Sequence, residues 1–259
     1  MSNTSLPISR ADWFLTPAGR YVAQWSLDTT DSLLLDVFGL QAAQVGCPTL
    51  DFLAHNRIQH RFRCMDIGDT ACSPQCGNTP ICIATDAAAL PFESDSLDLL
   101  VLPYVLEFHH HPHQVLREAQ RVLRPEGRLL VLGFNPLSLW GLRNSISHTL
   151  LPGQMNFPWP GNYLSIQRLK DWLKLLDFEV SRGHFGCYAP PCRSEATYTH
   201  LRWLEHAGDR WWGFAGACFA LMAVKRVTGM TLLTPSWLTA EQKVTPKSSL
   251  ATEQNLPKS

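Results

Sequence analysis

Net charge, long apolar runs and paired cysteines are what this sequence lacks. Lys plus Arg and Asp plus Glu both number 22, so the formal charge is zero and the isoelectric point is near 7.1. With neither sign in excess, overall charge offers no attraction to nucleic acid or to an anionic membrane. The longest apolar stretch, Gly213 to Val224, falls well short of the roughly 20 residues that cross a bilayer, so no transmembrane span is expected. The opening MSNTSLPISRADW has no apolar segment behind a basic one, which predicts no secretory signal and a cytoplasmic chain. Eight cysteines stand at irregular positions (47, 64, 72, 76, 82, 187, 192 and 218), which argues for reduced thiols rather than a disulfide framework. Neither the group from Cys64 to Cys82 nor Cys187 with Cys192 has the C-x2-C spacing of a zinc site, and no metal is expected.

What is present describes a globular chain. Hydrophobic residues make up 45%, charged residues 17%, and the mean hydropathy is -0.08, so 259 residues suffice for a core without disulfides or metals. Short apolar runs alternate with helical patterns, the signature of βα units around a mostly parallel sheet. Thr16 and Pro17 predict a first helix, a capping hydroxyl followed by proline at the first helical position. SLLLDVFG (32–39) reads as the first strand, and the following LQAAQVGCPTLDFLA as helical in part, broken by Gly46 and Pro48. Further strands are expected at 60–69, 81–86, 97–108 and 127–136, with FEVSRGH and 217–227 closing the sheet. The unbroken apolar run from 97 puts that strand at the centre. Val115, Leu116, Ala119, Val122 and Leu123 form one face of a helix stopped by Pro125 and Gly127, and Ser165 caps another. The expected organisation is an N-terminal helical lead (1–30), one α/β domain (31–235) with an aromatic insertion at about 185–214, and a disordered tail (236–259).

Residues 85–136 carry an aspartate followed by LPF, then S-D-S-L-D entering the central strand, then V-L-R-E-A-x-R-V-L-R-P-E-G before another apolar strand. This stretch resembles class I S-adenosylmethionine-dependent methyltransferases of the type 11 group. The resemblance implies a three-layer αβα Rossmann-like fold with an antiparallel last strand. It also implies S-adenosylmethionine as cofactor and a small-molecule methyl acceptor, with Gly39, Asp66, Asp86, Ala87 and Tyr104 at the cofactor. Asp86 would close a strand at the carboxyl edge, where such sheets bind ligands, and accept from an adenine amino group. Asp66 and Asp69 are alternatives for the acidic residue that holds the ribose hydroxyls. The sequence departs from the family in its glycine-rich loop, D-x-G-x-G-x-G, for DVFGLQ keeps only Gly39. A noncatalytic member that binds a protein partner is therefore the alternative.

Tyr104, Glu107, His109, His110, His111 and His113 cluster where the central strand ends. Histidine titrates nearest neutrality, so His109 or His110 is the candidate base for an acceptor that must lose a proton. The rival readings are a solvated histidine-rich loop and metal binding by HHHPH. Asn135-Pro136 lacks the second proline and aromatic of amino-methylating enzymes and does not indicate an amide or adenine substrate. The aromatics and arginines between His184 and Phe214 are interleaved with Glu195, Glu205 and Asp209, which favours a lid or packed flap over a nucleic-acid surface.

Overall fold

The computed structural model describes residues 10–66, 82–141, 163–190, 195–201 and 203–227. The expected tail, 236–259, lies outside them. Two helices lead, α1 (Arg10–Phe14) and α2 (Pro17–Leu34). Thr16 caps α2 through its side chain, which accepts from the Gly19 amide at 3.1 Å, and Pro17 takes the first turn where no amide is needed. The helix runs through SLL, so the expected strand at 32–39 does not form. Leu33 and Leu34 are buried as the last apolar residues of a helical face that also buries Val22, Ser26 and Thr30.

The first strand is instead β1 (Gln41–Val45), within the segment expected to be helical in part. It is followed by β2 (His60–Asp66), β3 (Cys82–Thr85), β4 (Leu97–Pro103), α3 (Pro112–Val122) and β5 (Leu123–Phe134). Then come α4 (Ile166–Leu175), β6 (Phe178–Gly186), α5 (Glu195–His200), α6 (Trp203–Trp211) and β7 (Cys218–Lys225). The strands form one sheet in the order β3-β2-β1-β4-β5-β7-β6. β3 through β5 pair in parallel, whereas β7 runs antiparallel to both β5 and β6. β4 is buried along its whole length, as a central strand covered on both faces must be, and it ends at Pro103 rather than 108.

Two apolar cores flank the sheet. On one side α1 and α2 supply Trp13, Phe14, Val22 and Leu33; on the other α3 and α4 supply Val115, Leu116, Leu169 and Leu173. Three layers result. The chain order reverses between β1 and β4, and the carboxyl ends of the strands at such a switch point are where open α/β sheets form their ligand crevice.

Described residues between β6 and β7 bond to one another and to α2. Glu205 of α6 accepts the amides of Cys187 and Tyr188 and the hydroxyl of Tyr21 on α2. Tyr21 stacks on Tyr198 of α5 with ring centroids 4.6 Å apart.

Candidate functional site at the carboxyl edge of the sheet

At the crevice, β1 leaves the sheet through Gly46, whose φ of +87° suits glycine. A Cβ there would lie 2.6 Å from Val105 Cγ2, in the segment that leaves β4. The loop beyond is shaped by Gln44, a fully buried amide on β1. Its Nε2 donates to the carbonyls of Gly46, Cys47 and Leu50, and its Oε1 accepts the Phe52 amide at 3.0 Å. An amide does this where a carboxylate cannot, because three of the four partners are acceptors. Arg63 of β2 fixes the outer side of the loop, donating to the Pro48 carbonyl at 3.1 Å and to Asp51 at 2.7 Å.

Gln44-x-Gly46-x-Pro48-x-Leu50 therefore occupies the spacing of D-x-G-x-G-x-G after the first strand. Gly39 does not. It precedes β1 at the opposite, amino edge, where a Cβ would come within 2.4 Å of the Asp98 side chain. Asp98 accepts the Leu40 and Gln41 amides and pairs with Arg124 at 2.6 Å, so it ties the starts of β1 and β4 together. The misplacement follows from reading SLLLDVFG as a strand. The spacing from Gln44 to Leu50 was the signal available in the sequence.

Asp66 is the last residue of β2, in register with Thr85, which places its backbone at the same edge as Asp86. Asp69 lies outside the described residues. Asp86 follows β3, and its side chain is half exposed at 52%. Its Oδ1 accepts the Ala88 amide at 2.8 Å and bonds His109 Nε2 at 3.0 Å. The Ala88 bond, followed by that from His109, lowers the Asp86 pKa below the ordinary aspartate value, so an anionic carboxylate faces solvent at neutral pH. Ala87 beside it is fully buried.

The loop carrying LPF is clamped from α3. Glu118 accepts the Leu90 amide at 2.8 Å, while Arg121 donates to the Leu90 and Phe92 carbonyls and to Glu118. The E-A-x-R spacing thus places a carboxylate and a guanidinium on one helix face to hold the loop after Asp86. Phe92 packs against Phe62 of β2, ring centroids 5.3 Å apart.

Beyond β4 the histidines separate. His109 is 13% exposed and bonded at both ring nitrogens, because Nδ1 accepts the His111 amide at 3.0 Å. His110 is exposed, and His113 packs on Trp172 of α4 at 3.6 Å between centroids. Glu107 is buried and accepts the Phe134 amide at 2.8 Å. Tyr104, one of the expected cofactor residues, turns its side chain away from the edge. Its ring lies in the core 4.6 Å from Phe134, and its hydroxyl bonds Ser26 of α2 at 2.6 Å. The Asn135 amide is used within the fold, donating to the Phe214 and Gly216 carbonyls and accepting the Leu137 amide. Among the described residues no group of three or more His, Cys, Asp or Glu is arranged to hold a metal, and no helix is long and apolar enough to cross a membrane.

A parallel sheet of this order, with its seventh strand reversed between the fifth and sixth, defines the class: this is the fold of class I S-adenosylmethionine-dependent methyltransferases. The family model described as a methyltransferase domain matches residues 43–131. The uncharacterized protein YafS of Escherichia coli K12 is 38% identical over 108 residues, 40% of this chain and 43% of YafS. The ubiquinone/menaquinone biosynthesis C-methyltransferase UbiE of a Ruegeria species is 35% identical over 97 residues, 36% of this chain and 38% of that enzyme. The chain thus matches less than half the length of these curated relatives. Among solved structures, a SAM-dependent methyltransferase from Thermotoga maritima superposes with a TM-score of 0.59 at 18% identity, over 83% of this chain and 93% of that one. The [4+2]-cyclase SpnF superposes with a TM-score of 0.53 at 16% identity, over 81% of this chain and 82% of that one.

The residues at the edge fit the adenosyl group of S-adenosylmethionine. Asp86 presents Oδ2, which has no partner among the described residues, as an acceptor for an amino or hydroxyl donor. Gly46 leaves no side chain over the turn.

Proposed function

We propose that this chain binds S-adenosylmethionine in the crevice between the carboxyl ends of β1 and β4 and transfers its methyl group to a small-molecule acceptor. The observation that carries this reading is the half-exposed, anionic Asp86 at the carboxyl edge of the sheet, the same edge at which β1 ends in the Gly46 turn. When bound, S-adenosylmethionine supplies a methyl group on a positively charged sulfur. The chain's own part is to bind and orient, since in-line transfer needs placement more than covalent chemistry. Asp86 Oδ2 accepts from the adenine amino group, and Asp66 is assigned to the ribose hydroxyls by its place at the end of β2. The loop braced by Gln44 and Arg63 faces the methionine portion. His110, exposed beyond β4, is the candidate for taking a proton from the acceptor, because both nitrogens of His109 are engaged.

A second reading has its own observation. Pro48 and Leu50 stand where the family pattern has glycine, which favours a noncatalytic fold that binds a protein partner. Calorimetry separates the two, with S-adenosylmethionine and its demethylated product titrated into wild type and Asp86→Ala. Micromolar binding weakened about tenfold or more by the substitution is expected for the enzyme. Absence of heat at millimolar ligand supports the partner-binding reading.

A further inference from the structure

We infer that His109 is a positioning residue, holding the Asp86 carboxylate so that one oxygen belongs to the protein and the other to the ligand. The inference rests on the reading that an adenosyl ligand binds at this edge.

Three hydrogen bonds carry it. The His111 amide donates to His109 Nδ1 at 3.0 Å, so Nδ1 is an acceptor and the neutral ring carries its proton on Nε2. That Nε2–H points at Asp86 Oδ1 at 3.0 Å. The Ala88 amide donates to the same oxygen at 2.8 Å. Two donors converging on Oδ1 fix the plane of the carboxylate and leave Oδ2 facing outward. The ring is itself held in place. The His109 amide donates to the Val105 carbonyl at 3.1 Å, and Pro112 begins α3 three residues on.

The burial of the two partners divides their roles. His109 is 13% exposed and Asp86 is 52% exposed, so the imidazole lies behind the carboxylate and the carboxylate meets the ligand. The titratable groups around it are Asp86 from the end of β3 and His111 at the start of α3, whose ring centroid is 6.5 Å away, with His110 next in the chain.

The experiment compares wild type, His109→Phe and His109→Gln. Phenylalanine keeps the ring volume and loses the donor, while glutamine can place an amide donor near the position of Nε2. Calorimetry with S-adenosylhomocysteine should show binding weakened about tenfold in His109→Phe and restored to within about threefold of wild type in His109→Gln. Nitrogen NMR of the ligand-free wild type should show the Nε2–H tautomer at His109. Carbon NMR should show the Asp86 titration moved upward in His109→Phe and less so in His109→Gln.

Equal binding by wild type and the two variants, or an Nδ1–H tautomer, overturns the inference and leaves the adenosyl reading standing. Loss of binding in both variants, with the Asp86 titration unmoved, also overturns it by showing a role in packing alone. No binding by wild type overturns the adenosyl reading and the ligand half of the inference, whereas the tautomer and the titration still decide the hydrogen-bond link. A thermal melt of each variant establishes that it is folded, and the wild-type tautomer decides the link should His109→Phe fail to fold.

Discussion

Gly39 and Gly46 are alike in sequence and opposite in consequence. At Gly39 the missing side chain makes room for Asp98, so Gly39→Ala is a packing change at the amino edge. It should lower stability in urea by about 1–3 kcal/mol and leave the affinity of the folded fraction for S-adenosylhomocysteine unchanged. Gly46→Ala places a side chain at φ +87° against Val105, and should reduce both stability and affinity. Loss of affinity in a folded Gly39→Ala protein would contradict this division. Gln44 is the sharper case, because its amide meets three carbonyls. Gln44→Glu restores the acid of the family pattern yet turns a carboxylate toward those acceptors. A loss of at least about 2 kcal/mol in urea unfolding is expected.

Elements with a strong pattern were legible in the sequence. Thr16-Pro17 marks the start of α2, the apolar run marks β4, and the face from Val115 to Val122 marks α3. β1 was not legible, because QAAQV has one β-branched residue and two glutamines, of which Gln44 is buried. That polarity is compatible with burial only through four backbone hydrogen bonds, which no local pattern reveals. Asp86 was legible through its strand and the LPF that follows, whereas its link to His109 joins residues 23 apart in sequence. Glu118 and Arg121 stand three apart, the spacing of a helical pair, but their grip on the LPF loop joins segments about 30 residues apart and has no local signal. Bonding to Arg121, then to the Leu90 amide, lowers the Glu118 pKa below the ordinary glutamate value. The contribution is therefore present above the unfolded-state pKa and lost as pH falls through the folded one. Glu118→Gln should flatten the acid limb of the stability profile, checked by urea unfolding between pH 7 and about pH 3.

In the molecule as a whole, the helical lead is tied to the sheet by Tyr104, which spans from the end of β4 to Ser26 of α2. Burial, then the neighbouring Cys218 and Cys187, raises the Tyr104 pKa well above its ordinary value. The folded state keeps that proton when the unfolded chain has released it, so stability falls as pH rises past about 10. Tyr104→Phe should cost about 1 kcal/mol at neutral pH and make the alkaline decline shallower, measured by urea unfolding across that range. The fold leaves one sheet edge with an anionic carboxylate, a glycine turn and a loop braced from within. Its chemistry is tested most directly by co-crystallising the full chain with S-adenosylhomocysteine. Adenine bonded to Asp86 Oδ2 and the amino-acid end over Gly46 are the expected result. Ligand bound at another edge, or a crevice without ligand at millimolar concentration, would contradict it.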